Sequence, residues 1–345
     1  MGDPMRGFFS QQEMHAGAGY FNLQQLQAQD DVYSMQYQLN QAVSAPVIIG
    51  IATTTTLDVN TGTTVTTSDT FKPTLVHDGA QADLFILSAD NVYFSVHARV
   101  LFPVSANRFE GRLPRLVNNG GPLLMVLPDM SIIVNIMLHA FYGFVYPTPH
   151  PGFGAVAATI NTMKRYQIYL HTYAEPKMPL YELFLDQAPL YPLEAYTIAA
   201  ENELEPLAVI TSQYVMPIPP GDIPDEMALR MGALYLKRIW GLRCTRLETM
   251  RDILRDKPYP HAPTRNCSFA DRQGLGRGWS LAGAQIIWDF RPEMSASVLQ
   301  EILGSLAQDL ACSICRERVL ARVKDVVIKW TLTQVRDIVL KAKRH

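Results

Sequence analysis

Residues 132–146 are the longest apolar run of the chain, and they include Asn135 and His139. A helix that crosses a bilayer needs roughly 20 apolar residues, so this run reads as a helix buried in a protein core. Asp129 or Ser131 can cap its start, and Tyr146, Pro147, Pro149 and Pro151 stop it firmly near Phe144. A core helix of this kind needs other elements to cover it on every side. The neighbouring sequence supplies them.

Upstream, residues 83–88 and 92–96 are β-rich and flank Ala89, Asp90 and Asn91, which predicts a hairpin. A third strand, residues 123–127, stops at Pro128. Downstream, the apolar spacing predicts helices over 155–170, 193–201 and 204–214. A stiff link, Pro217 to Pro220, precedes helices over 225–240 and 243–254 and an interrupted one over 295–340. Residues 257–277 read as loop-rich. The run Gly274-Leu-Gly-Arg-Gly278 lacks the spacing of a phosphate cradle and reads as a flexible loop before Trp279.

The amino-terminal 76 residues read differently. The first 45 are rich in Gln without a helical or strand period, which predicts disorder. A β-prone run, residues 47–51, precedes a Thr-rich tract that promises at most one edge strand and a linker. The start of the sequence shows no apolar signal core, so a cytoplasmic or nuclear location is expected.

Of the 345 residues, 48% are hydrophobic and 18% charged, a balance that excludes a wholly disordered chain. The net charge of −2 hides an asymmetry. Residues 1–225 carry 9 Lys and Arg against 20 Asp and Glu; residues 226–345 carry 21 against 12. The sign change marks a candidate domain boundary, and it allows the two halves to attract each other.

The order of strands, helices and Pro-rich turn is specific enough to resemble a known family. Ala82-Asp83-Leu84, the span from Val92 to His97, Val100-Leu101, Phe109, residues 123–127, Leu138, Phe141-Tyr142 and Tyr146-Pro147 together resemble the BTB/POZ domain. Trp279, Cys312 and Cys315 fit the outline of the large fungal, mushroom-type group, whose BTB domain precedes a helical half. The likeness covers about residues 77–215 and is weaker beyond. It implies an α+β fold in which a small sheet with a helical cluster is followed by an all-helical domain over 225–345. It also implies self-association, with residues 47–51 as a strand exchangeable between protomers and Phe85, Tyr93, Phe94 and Phe102 as interface residues.

The expected function is therefore protein binding, by a self-associating scaffold or adaptor without catalysis, whose partner is itself or another BTB protein. Two alternatives stand beside it. One is a substrate adaptor of a cullin-type ubiquitin ligase, although residues 112–119 contain no Glu where cullin-binding members often carry an apolar-x-Glu signal. The other is a chromatin- or DNA-associated regulator using the basic half, where Arg316, Arg318, Arg322, Lys324 and Lys329 recur at near-helical spacing. An amphipathic helix with a solvated face explains that stripe more simply, so nucleic acid ranks below protein as a partner, and no membrane is expected.

No cofactor is expected. Asp83 and His97 lie nearest the core and read as residues that fix strand ends. Cys312-Ser-Ile-Cys315 has metal-ligand spacing, and Cys244, Cys267 and His261 could complete a four-ligand zinc site, with Cys267 beside Cys312 and Cys315 as the low-ranked candidates. Only one such Cys pair exists, and the expectation is buried free thiols, with no metal. Glu201, Glu203 and Glu205 read as helix ends.

Overall fold

The computed structural model describes residues 52–57, 64–115, 123–265, 267–308 and 310–342. The expectations for residues 1–51, the exchangeable strand included, lie outside them. The fold is mixed α and β. Strands β1 (Thr53–Leu57), β2 (Thr64–Ser68), β5 (Leu84–Leu87), β6 (Val92–Val96) and β7 (Leu123–Val126) form one sheet in the order β1-β2-β6-β5-β7. A second ladder pairs β3 (Val76–His77) with β4 (Ala80–Gln81).

The predicted hairpin is β5–β6, antiparallel with Ile86 opposite Phe94, and β7 runs parallel to β5 on its far side. The Thr-rich tract forms a hairpin of its own, β1–β2, and β2 lies parallel to β6. Phe71, just after it, is fully buried against Phe94, Tyr142 and His139. The expected amino-terminal arm therefore does not reach residue 76. β-branched Thr side chains favour the extended chain, and backbone pairing to β6 makes up for their lack of apolar area.

The apolar run is α2 (Ser131–Tyr142), buried on nearly every side, and it ends at Gly143, whose φ of 67° needs the left-handed region open to glycine. No side chain caps it from Asp129 or from Ser131. Instead Asp90, in the β5–β6 turn, accepts from the Ser131 amide at 2.8 Å and its hydroxyl at 2.6 Å. Asp129 turns the other way and accepts from Arg165 and Tyr166.

Against α2 pack α1 (Ala98–Leu101), α3 (Phe153–Arg165), α4 (Leu170–Tyr173) and α5 (Pro179–Gln187), and α6 (Pro192–Glu201) and α7 (Glu205–Val215), packed on each other, extend the same core. The helix expected over 155–170 is split into α3 and α4, because Gln167 adopts a φ of 52° and Ile168 bridges to Ser105.

Four further helices follow: α8 (Asp225–Arg255), α9 (Phe269–Trp288), α10 (Ala296–Ser305) and α11 (Ser313–Ala342). Gly232, at φ 73°, breaks the helical path inside α8. The first part of α8 gives Met231, Tyr235, Ile239 and Leu242 to the core around α2, and its last turns give Met250, Ile253 and Leu254 to a second core. Trp279 of α9 and Trp330 of α11 fill that second core, with their indole N–H groups donating to the Leu254 and Met294 carbonyls at 3.1 and 2.7 Å. The expected flexible loop at Gly274 to Gly278 is helix. Gly278 lies against α10, where an added Cβ would stand 3.6 Å from Leu306.

Among the described residues, no helix is long and apolar enough to cross a membrane.

Candidate functional site

Four side chains from distant parts of the sequence converge beside the second core. His261 lies in the loop after α8, Cys267 immediately before the Ser268 cap of α9, Cys312 directly ahead of α11, and Cys315 in the first turn of α11. Their ligand atoms all lie within 4.8 Å of one another. His261 Nε2 is 3.2 Å from Cys315 Sγ and 3.4 Å from Cys312 Sγ, and Cys267 Sγ is 3.7 Å from Cys315 Sγ. His261, Cys267 and Cys315 are buried, and Cys312 is half-buried.

Local structure explains each position. Cys312 and Cys315 are three apart at the start of a helix, the spacing that puts two side chains on one face. Cys267 closes a tight turn with Thr264 through a pair of backbone hydrogen bonds of 3.2 and 3.3 Å, and Ser268 with Asp271 then forms a capping box that starts α9. The His261 loop is tied down from two helices. Arg272 of α9 donates to the His261 carbonyl at 2.7 Å, and Arg318 of α11 donates to the carbonyls of Tyr259 and Pro260. His261 Nδ1 lies 2.6 Å from the Ala262 carbonyl, which makes that nitrogen the N–H donor and leaves the Nε2 lone pair facing the sulfurs.

The electrostatics of the thiols diverge. The Cys315 amide, with that of Ile314, donates to the Cys312 sulfur at the helix start and pulls its pKa down to about 7. Burial pushes Cys315 up to about 12 and also raises Cys267. The group thus places three sulfurs around an imidazole nitrogen, a donor set for a soft or borderline metal ion. Sequence spacing singled out the Cys312–Cys315 pair; of the three residues that could complete it, Cys267 and His261 join the group and Cys244 does not. Cys244 is exposed on α8, outside the group.

Asp83 and His97 are brought together but serve strand ends. Asp83 accepts from the Ala98 amide at 2.7 Å and starts α1, while His97 Nδ1 and its amide both meet the Tyr142 hydroxyl. Burial drives that hydroxyl's pKa up to about 12. Glu201 pairs with Arg230, and Glu205 with Arg238 and Tyr235. These pairs join the acidic and basic halves of the sequence.

Of the expected interface residues, Phe94 is corrected: it is fully buried on the core face of β6 and cannot meet a partner. Alternation along the strands puts Leu84, Ile86, Phe94 and Met125 inward. Phe85, Leu87, Tyr93, Leu124 and Val126 take the opposite face, with Phe85 opposite Leu124 and Leu87 opposite both Val126 and Tyr93. Phe85, Tyr93 and Phe102 are half-buried, whereas Leu124 and Val126 are each 51% exposed. Sequence reasoning missed Leu124 and Val126, although the unbroken apolar run of β7 carried the signal.

Comparison with protein families, with curated proteins and with solved structures returns no match.

Proposed function

We propose that this chain is a non-catalytic protein-interaction module with a BTB-like sheet and helical cluster, and that it associates with a second copy of itself through the outer face of the sheet. The observation that carries the reading is that face. Five apolar side chains, Phe85, Leu87, Tyr93, Leu124 and Val126, occupy positions where a one-sided sheet normally alternates to polar residues. Contiguous apolar surface rimmed by polar residues marks an interaction site. Among the described residues β7 is also the last strand of the sheet, and an edge strand can take a further strand from a partner. The β5–β6 hairpin, the parallel β7 and the α2 helix that follows it support the BTB-like reading of the fold.

The test is the mass of the full-length chain in solution, by light scattering at micromolar concentration. The expected particle has twice the chain mass of 38.7 kDa, and Val126→Lys should return it to one chain that keeps the wild-type far-ultraviolet circular dichroism. A monomeric wild-type chain would refute self-association. A dimer that Leu124→Lys and Val126→Lys leave intact would place the interface elsewhere.

A further inference from the structure

We infer that His261, Cys267, Cys312 and Cys315 bind one Zn²⁺ ion in a closed, structural, tetrahedral site. A tetrahedral zinc ion with Zn–S bonds of about 2.3 Å and a Zn–N bond of about 2.0 Å holds its sulfurs about 3.8 Å apart and its nitrogen about 3.5 Å from each sulfur. The sulfur–sulfur separation of 3.7 Å and the nitrogen–sulfur separations of 3.2 and 3.4 Å follow that pattern. The same 3.7 Å is far from the roughly 2.05 Å of a disulfide, and all four cysteines are free.

The donor chemistry selects the ion. Three thiolates and an imidazole are too soft a set for Mg²⁺ or Ca²⁺, which take oxygen ligands. Four donor atoms within 4.8 Å enclose a single ion. With all four positions taken by protein there is no open site for water or substrate, which makes the role structural. The surroundings are those of a finished metal site: Nδ1 of His261 is held by a carbonyl, backbone amides of α11 point at Cys312, and the starts of α9 and α11 lend partial positive charge to a site whose net charge is −1. The ion ties the loop after α8 to the first turns of both helices.

The experiment uses the full-length chain, purified without added metal and without a polyhistidine tag. Its metal content is measured by mass spectrometry, and chelator-treated protein is then titrated with Co²⁺. The expected result is one zinc per chain, and a cobalt form with the strong visible bands of tetrahedral geometry plus thiolate-to-cobalt charge transfer. Cys244→Ser should keep both; Cys267→Ser and Cys315→Ser should lose the stoichiometric ion. If those two variants do not fold, thiol titration of the wild-type chain decides instead. Only Cys244 should react quickly in the native protein, and zinc should be released in step with modification of the other three. A folded wild-type chain that takes up no zinc or cobalt, a stoichiometric metal other than zinc, an octahedral cobalt spectrum, or loss of metal in Cys244→Ser would overturn the assignment.

Discussion

Replacing Gly274, Gly276 and Gly278 together by Ala should stabilise the protein, because all three lie inside α9. Glycine in a helix interior is about 0.8–1.0 kcal/mol less favourable than alanine. Space permits the exchange. A Cβ at Gly274 or Gly276 meets nothing within 4 Å, and at Gly278 it reaches Leu306 Cδ2 at 3.6 Å, an ordinary contact. The triple variant should therefore gain about 2–3 kcal/mol, or about 5–10 °C in melting temperature at 2–4 °C per kcal/mol. Urea unfolding followed by tryptophan fluorescence is the assay, since Trp279 and Trp330 are both buried in the second core and change environment when it opens. Gly276→Pro is the opposing arm, expected to cost about 3 kcal/mol through the lost amide donor and the ring clash. A flexible loop over these residues would leave both variants within about 0.5 kcal/mol of wild type. That outcome would refute the helix and the packing of α9 on α10.

Three other consequences are open to measurement. Phe94→Ala should cost about 3–5 kcal/mol of folding stability in urea, as expected for a fully buried aromatic, while Phe85→Ala should cost less and weaken self-association instead. Burial holds the pKa of His139 below its ordinary value, only partly offset by the Asn135 carbonyl. The unfolded chain therefore takes up this proton first as the pH falls below about 6.5, and stability present above that pH is lost on the way down through the folded pKa, by up to about 1.4 kcal/mol per pH unit. His139→Gln should flatten that part of a stability profile measured between pH 5 and 7.5. Arg272→Ala removes the donor to the His261 carbonyl and should weaken zinc binding by about 10–100-fold in a chelator competition, without changing stoichiometry.

What was legible in the sequence follows from which forces are local. The α2 helix and the β5–β6 hairpin were readable because each is an apolar run closed by residues that stop it within a few positions, Pro147 to Pro151 for the helix and Asp90-Asn91 for the turn. The β1–β2 hairpin was under-read, since Thr side chains give little burial signal and its stability comes from pairing with β6, some 25 residues on. Helix α9 was hidden by Gly274, Gly276 and Gly278, whose propensity argues for a loop until the contact with Leu306 is known. The Cys312–Cys315 pair was visible as a spacing. Its partners His261 and Cys267 lie roughly 50 residues away, and only the return of α11 beside the start of α9 brings them to it.

The basic surplus of residues 226–345 has a structural use that spacing alone did not suggest. Arg243 donates to the carbonyls of Val215, Met216 and Ile218, and Arg246 to that of Pro292. Arg272 serves His261, Arg316 serves Leu310, Arg318 serves Tyr259 and Pro260, and Arg322 serves Ile253 and Asp256. Long helices joined by Pro-rich loops leave many carbonyls without an intrahelical donor, and a planar, always charged guanidinium with five N–H groups can satisfy several at once. A lysine, with one nitrogen on a flexible stem, would serve these positions less well. The same reasoning explains where the zinc ion sits. The loop between α8 and α9 contributes almost nothing to either core, so its position rests on the arginine bonds to Tyr259, Pro260 and His261 and on the metal ligands His261 and Cys267. Arginines fix the backbone of this loop from two helices, and the ion fixes its side chains to the start of α11, where apolar burial is too small to do either.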